Sequence, residues 1–419
     1  MSNRIIPLLI VSVLLLIIDW YIYRAIASIR KKKDKPVSKI FTYLWWGYSI
    51  LLIAGVFASI FFNLRLTLRA IILVAFFITF VTKSCFLIFL FIDDSRRGFI
   101  WLKRKVLPVK ETRSVQDAVD TDKISRSEFL VKAGVAVAAI PFASLTWGIT
   151  SGAYDYRIVR KKLILPNLPK AFDGITFAQI SDIHSGSFYN KKAVLGGVEM
   201  LLAEKPEFVF FTGDLVNNKA SELKEYQDIF AKVKAPLGVF SVLGNHDYGD
   251  YHFGKEPSPA KAKNLAEIIA TQKIMGWDLL MNEHRRLKVD GEEIGILGVE
   301  NWGSGRFPKH GKFDLAVKDT DDLPVKLLLS HDPSSWRAQV LANYPQIDAV
   351  FSGHTHGMQF GVAAEHFQWS PVQYVYPEWA GLYKEGNRQL YVNVGYGFLG
   401  YPGRVGILPE ITIFELKQA

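Results

Sequence analysis

The chain has 419 residues, 49% of them apolar, with a single cysteine, Cys85, and a formal charge of +10. That length makes two or more structural units the expectation, and one cysteine excludes an intramolecular disulfide framework. The basic excess does not point to nucleic acid: residues 1–150 hold 21 Lys and Arg against 9 Asp and Glu, whereas residues 151–419 hold 29 against 31. The charge therefore sits between the long apolar runs, where cytoplasmic loops of membrane proteins concentrate Lys and Arg.

Three such runs come first, Ile5–Ile22, Ile40–Phe62 and Ala70–Ile92. Each is close to the roughly 20 residues that cross about 30 Å of hydrocarbon as a helix. Asp19 and Lys83 lie within the first and third, placed to snorkel or to face a neighbouring helix. A fourth run, Ala133–Thr150, is less apolar and contains Pro141, which membrane helices tolerate. Residues 1–150 thus read as an all-α transmembrane region of about four helices, and residues 151–419 as a second domain.

The loops set the orientation. Arg24–Lys39 and Asp94–Glu128 are rich in Lys and Arg, and the short Asn63–Arg69 connection is not, so the first two are expected in the cytoplasm. With four spans, the amino terminus and everything after Thr150 lie outside it; with three, the large domain stays inside. The segment Ile124–Leu130, followed by a mild apolar run, resembles a twin-arginine export signal that keeps only Arg126.

Beyond Tyr154 the pattern changes to short apolar runs separated by mixed segments. Five runs end in the same chemical way: Ile175–Ser181 leads into Asp182-Ile183-His184, Phe208–Thr212 into Gly213-Asp214, Val239–Leu243 into Gly244-Asn245-His246-Asp247, Val325–Ser330 into His331, and Ala349–Ser352 into Gly353-His354-Thr355-His356. Such runs suit strands buried on both faces, with Lys191–Glu204 and Ser221–Val233 as helices between them. Ligands of such sheets gather beyond the carboxyl ends of strands. Polar residues spread over about 170 positions are thereby expected to converge. Gly254–Lys263, with Pro257 and Pro259, reads as a surface loop.

Two divalent cations held close together require oxygen and imidazole ligands and a carboxylate to offset their charge. Asp182, His184, Asp214, Asn245, His331, His354 and His356 supply that set. In this order and spacing, the five blocks resemble the calcineurin-like metallophosphoesterases over roughly residues 155–419. The resemblance implies an α/β/β/α four-layer sandwich. It also implies one metal on Asp182, His184 and His356, a second on Asn245, His331 and His354, Asp214 bridging both, and a metal-bridging hydroxide that attacks phosphorus. His246 matches the residue that faces substrate and protonates the leaving oxygen or stabilises phosphoryl charge. Its neighbour Asp247 is read either as orienting that ring or as a loop cap.

The Gly353–Gln359 block and the Gly395–Pro402 region look most similar to the YkuE-like or YaeI-like bacterial membrane-associated phosphoesterases. Some of these act on lipid-linked pyrophosphates such as UDP-diacylglucosamine. The resemblance implies a multi-pass enzyme of the bacterial inner membrane whose substrate is a phosphate ester or pyrophosphate, lipid-linked in one form. Its metals are manganese, iron or zinc, which such mixed ligands do not distinguish. Arg404, in a glycine-rich turn, is read as reaching a substrate phosphate or as forming a salt bridge. The aromatics Trp369, Tyr374, Tyr376, Trp379 and Tyr383 are read as packing, as a wall of the site, or as a surface that dips into lipid. His252, His284, His310 and His366 are read as structural. The competing reading is a catalytically silent, metal-containing sensor or binding module coupled to the membrane helices.

Overall fold

The computed structural model describes residues 2–32, 37–62, 66–106, 126–305, 307–364 and 367–419. His366 lies outside the described residues. The chain divides into two compact units, Met1–Thr146 and Trp147–Ala419.

The first unit is built from helices α1 (Ser2–Lys32), α2 (Lys39–Phe61), α3 (Leu66–Val106) and α4 (Arg126–Thr150), the last of which ends in the second unit. Ile5–Ala27, Lys39–Phe61, Leu68–Lys103 and Glu128–Tyr154 are each long and apolar enough to cross a bilayer. The helix α3 differs from expectation: it continues past Ile92, where the sequence suggested a loop, for 41 residues in all. At 1.5 Å per residue it is roughly 60 Å long, about twice the hydrocarbon thickness, so it extends beyond that layer. Ion pairs one helical turn apart support the continuation, with Asp93 at 2.8 Å from both Arg96 and Arg97, and Asp94 at 2.9 Å from Arg97. The acid within the first apolar run and the base within the third meet. Lys83 pairs with the fully buried Asp19, lies 3.3 Å from Ser49 Oγ and sits over the Trp45 ring, an arrangement that neutralises both charges.

The second unit contains β1 (Arg157–Leu165), β2 (Thr176–Ile180), α5 (Lys191–Ala203), β3 (Phe208–Phe211), β4 (Val239–Ser241), β5 (Asp278–Leu279), β6 (Glu283–Val289), β7 (Glu292–Gly298), β8 (Lys326–Leu329), β9 (Ala349–Ser352), β10 (Val362–Ala364), β11 (Phe367–Trp369), β12 (Gly381–Glu385), β13 (Arg388–Val392) and β14 (Glu410–Gln418). Two six-stranded sheets form, ordered β1-β14-β2-β3-β4-β5 and β12-β13-β9-β8-β7-β6. The site-bearing neighbours β2, β3 and β4 run parallel, as do β8 and β9, so their carboxyl ends point the same way within each sheet.

Between the sheets lies a phenylalanine-rich core in which the Phe177 ring is 4.5 to 5.5 Å from those of Phe208, Phe210, Phe351 and Phe414. Each such burial is worth roughly 1.5–3 kcal/mol, which locks the sheets face to face. Outside the first sheet, α5 is capped by Asn190 and buries Val194, Val198 and Leu201 on one stripe. Outside the second, Phe313–Val317 and Trp336–Val340 pack on Leu297, Leu328 and Val350. Helices, sheet, sheet and helices make the expected four layers.

Two local readings change. Ser221–Val233 is not one helix but a 3-10 segment, Ala220–Glu225, followed by the single turn Gln227–Phe230. The second half of Gly254–Lys263 is helical: Pro259–Met275 starts there, with Ser258 Oγ accepting from Lys261 N at 3.2 Å. Ser258-Pro259 is a cap followed by proline at the first helical position, a start signal that the loop reading missed.

Candidate metal centre

Beyond the carboxyl ends of β2, β3, β4, β8 and β9, two groups of ligand atoms form. Asp182, His184 and His356 offer atoms within 4.8 Å of one another, and so do Asp214, His331 and His354. Asn245 joins the second group, its Oδ1 2.9 Å from His354 Nδ1 and 3.2 Å from His331 Nε2. Asp214 touches both groups through one atom: Oδ2 is 3.5 Å from His184 Nε2 and 3.2 Å from His331 Nε2.

The backbone is forced to make this convergence. Asp182, His184, Asp214, His354 and His356 have φ of 50°, 48°, 60°, 72° and 51°, the left-handed region that costs a non-glycine residue of order 1 kcal/mol or more. Interloop hydrogen bonds hold the strain, among them Asp182 N to Gly213 O at 2.9 Å, His184 N to Asp214 O at 3.1 Å and Gly353 N to His331 O at 2.9 Å. Glycine is required where the loops touch. A Cβ on Gly244 would overlap the Asp214 carboxylate, and one on Gly353 would overlap Ser181 Oγ and Asp182 Oδ2.

Charge is distributed to suit cations. Burial alone would raise the Asp182 and Asp214 carboxyls, but His356 beside the first and His331 beside the second outweigh it and hold both below the usual range. Burial pushes the His184 imidazole well below its ordinary pKa, so it stays neutral, and its Nε2 faces His356 Nε2 at 3.0 Å. Burial opposes charge on His331 too, yet Asp214 raises that ring to about 10. Ionised carboxylates and imidazole nitrogens converging with one shared oxygen are a donor set that fits divalent cations.

The comparisons with known proteins agree with that chemistry. A family model described as calcineurin-like phosphoesterase matches residues 175–358, and another, described as probable calcineurin-like phosphoesterase, transmembrane domain, matches residues 3–153. The chain belongs to the calcineurin-like phosphoesterases. It is similar to the uncharacterized metallophosphoesterase YkuE of Bacillus subtilis, at 29% identity over 71% of this chain and 99% of that one. It is similar also to a transmembrane protein with metallophosphoesterase domain from Danio rerio, at 28% over 74% of this chain and 67% of that one. An uncharacterized metallophosphoesterase of Helicobacter pylori matches at 27% over 92% of both chains.

In this membrane-associated, metal-dependent phosphoesterase, Asp247 takes the loop-cap role of its two readings and Arg404 takes neither of its own. Asp247 does not touch the His246 ring. Its carboxylate accepts from the backbone N–H groups of Asp214, Leu215, Val216 and Gly244 at 2.9 to 3.3 Å, which makes it the clamp of two metal-site loops. The His246 ring is set instead by Asn217, whose carbonyl lies 2.7 Å from Nδ1, and by Tyr251, stacked at 4.6 Å.

Arg404 does not face an open site, and among the described residues it forms no salt bridge. It is fully buried and donates to the carbonyls of Gly397, Val394 and Gly395 at 2.6, 2.8 and 3.1 Å, with Nη2 3.3 Å from His356 Nδ1. Burial lowers its pKa to about 10, so it remains a cation at neutral pH, braced behind a candidate ligand. Arg404→Leu leaves several buried carbonyls without donors, at about 1 kcal/mol or more each. The expected result is a lower unfolding temperature and reduced metal content by elemental analysis, neither restored by Arg404→Lys, whose three donors cannot serve the same fan of acceptors.

Tyr376, one of the aromatics for which a wall of the site was one reading, reaches a candidate ligand, and Asp332 is an addition from the structure. Tyr376 OH is 2.8 Å from His354 Nε2, and Asp332 Oδ2 is 3.6 Å from the same atom. Asp332 follows His331 directly, the one signal in the sequence for a carboxylate beside His354. A cavity of about 140 Å³ opens beside Asn245, walled by Tyr251, Phe307 and His310. His310 stacks on Tyr248 at 4.1 Å and His252 lies edge-on to Phe253, while His284 sits within β6; among the described residues none of these joins a ligand group.

Proposed function

We propose that this phosphoesterase holds two divalent cations, one on Asp182, His184 and His356 and one on Asn245, His331 and His354, with Asp214 shared between them. The observation that supports this reading is the single Asp214 oxygen within 3.5 Å of an imidazole from each group. When bound, manganese, iron or zinc supplies charge neutralisation at the phosphoryl oxygens and acidifies the attacking water.

The chain's own residues complete the chemistry. His246 N donates to Asp214 Oδ1 at 2.8 Å, which ties the ring's backbone to the shared carboxylate. The Asn217 carbonyl accepts from Nδ1, so Nε2 is the nitrogen that meets the substrate; in the imidazolium form its N–H stabilises phosphoryl charge or passes its proton to the leaving oxygen, the ring returning to neutral.

The substrate class we infer is a membrane-borne phosphate ester or pyrophosphate, of the kind found in lipid-linked envelope intermediates such as UDP-diacylglucosamine. The last turn of α4 supports it: Gly148 O accepts from Arg404 N at 3.1 Å, and the Arg404 guanidinium reaches His356. A candidate ligand is thus one side chain removed from the end of a helix apolar enough to span a bilayer. The two basic loops favour the outer side of a bacterial cytoplasmic membrane for the catalytic domain.

Full-length protein in liposomes, loaded with manganese, is expected to turn over a UDP-linked lipid pyrophosphate faster than a soluble phosphomonoester or phosphodiester. His246→Asn should lower kcat by roughly 10²–10⁴-fold without loss of metal. Turnover confined to the soluble esters would overturn the lipid-linked assignment.

A further inference from the structure

A second groove, whose lining includes none of the candidate ligands, lies along the edge of the first sheet. It has a volume of about 380 Å³ and runs between β1 and the β10–β11 hairpin. Arg157, Val159 and Lys161 line one side, on one face of an edge strand; Ala363 and Gln368 of the hairpin line the other, and Trp379 and Ile407 lie between. Arg157 pairs with Asp155 at 2.6 Å, while Lys161 makes no ion pair within 4 Å among the described residues and acts on the buried Glu410 through space.

The hairpin itself is unusual. Its register pairs Val362 with Trp369 and Ala364 with Phe367 on one face, and Ala363 with Gln368 on the other. Val362, Ala363, Ala364, Phe367 and Gln368 are all exposed, so neither face is covered. A two-stranded hairpin with nothing packed on it is marginal in water. The same stretch also bears exposed Met358, Phe360, Tyr374 and Val375, an apolar concentration found nowhere else among the described residues of this unit.

We propose that this groove and hairpin dock on the surface of the bilayer, the apolar hairpin entering the interface and Arg157 and Lys161 taking anionic phospholipid headgroups. Connectivity makes lipid the occupant. Only six residues lie between Thr150, where α4 ends, and Arg157, and the seven steps along the chain span at most about 25 Å, so this strand edge is always within reach of the membrane that holds α4. Charge agrees, since basic groups near an anionic leaflet gain about 1 kcal/mol each, as does the tryptophan and tyrosine content, typical of membrane interfaces. The inference does not depend on which phosphate ester is cleaved.

The test uses full-length protein in the Cys85→Ser background, spin-labelled at Phe367→Cys, which is 60% exposed, or at Ile274→Cys, a 71% exposed control on the helix Pro259–Met275. In liposomes containing phosphatidylglycerol, the ratio of collisions with oxygen to collisions with a water-soluble nickel chelate should be several-fold higher at 367 than at 274. It should drop to the control level in pure phosphatidylcholine or with Arg157→Glu and Lys161→Glu. Equal ratios at both positions in every lipid would overturn the proposal. So would dipolar broadening between labels at 367 that is independent of lipid, which would show a second copy of the chain on this face.

Discussion

Replacing Asp214 by asparagine is expected to abolish hydrolysis, with kcat reduced by far more than the 10–100-fold that loss of an outer-shell partner of a metal ligand typically costs. The substitution preserves shape and changes charge. Asp214 Oδ1 accepts from His246 N at 2.8 Å and Oδ2 lies between His184 and His331 at 3.5 and 3.2 Å. An asparagine that keeps its oxygen on His246 N must turn its NH₂ toward both imidazoles and toward any cation between them, replacing an anion by a donor. Elemental analysis should find fewer than two metals per chain, and the same assay should find no turnover. Unchanged turnover with full metal content would remove Asp214 from the centre of the mechanism.

The second large effect is expected at Asp247. Alanine there leaves four N–H groups of two loops without their acceptor, and buried donors left unsatisfied cost roughly 1–3 kcal/mol each, about 3–5 kcal/mol together where water reaches some of them. For a unit of this size that is a fall of roughly 6–20 °C in unfolding temperature, accompanied by loss of metal because Asp214 and Asn245 sit on the released loops.

The same group has a pH signature. Burial first, and then the Asp214 carboxylate, push the Asp247 carboxyl up to about 7, above the value near 4 of an unfolded chain. Between those pH values the native protein holds a proton that the unfolded chain has lost, so this group makes stability fall as pH rises through that window. Metal that neutralises Asp214 relieves the repulsion. The decline from pH 5 to pH 8 should therefore be steeper after chelation than before, and Asp247→Asn should flatten it. A chelated wild type whose stability rises over that range on account of this group would contradict the assignment.

Much of this was legible in the chain. The five apolar runs and the blocks that follow them became β2, β3, β4, β8 and β9 with their polar ends together, because a strand buried on both faces must be apolar along its length and parallel neighbours must end on the same side. The four apolar helices were equally plain, since hydrocarbon thickness fixes their length. Less legible were features that depend on local pairing. Charges at Asp93, Asp94, Arg96 and Arg97 looked like a loop until their one-turn spacing proved to sustain α3, and Ser258-Pro259 looked like a loop because proline was read as a breaker instead of a helix start.

The sequence by itself determined which residues carry charge, imidazole and amide, the order in which strands present them, and the membrane region that precedes them. Only the tertiary structure decided what surrounds each one. Whether Arg404 meets a phosphate or a cage of carbonyls, whether Asp247 steers a ring or clamps two loops, and which carboxylate oxygen lies near imidazoles of both ligand groups depend on contacts that close only in the folded chain. Such contacts leave no period or spacing in the sequence, because a hydrogen bond acts over about 3 Å of space regardless of the number of residues between its ends.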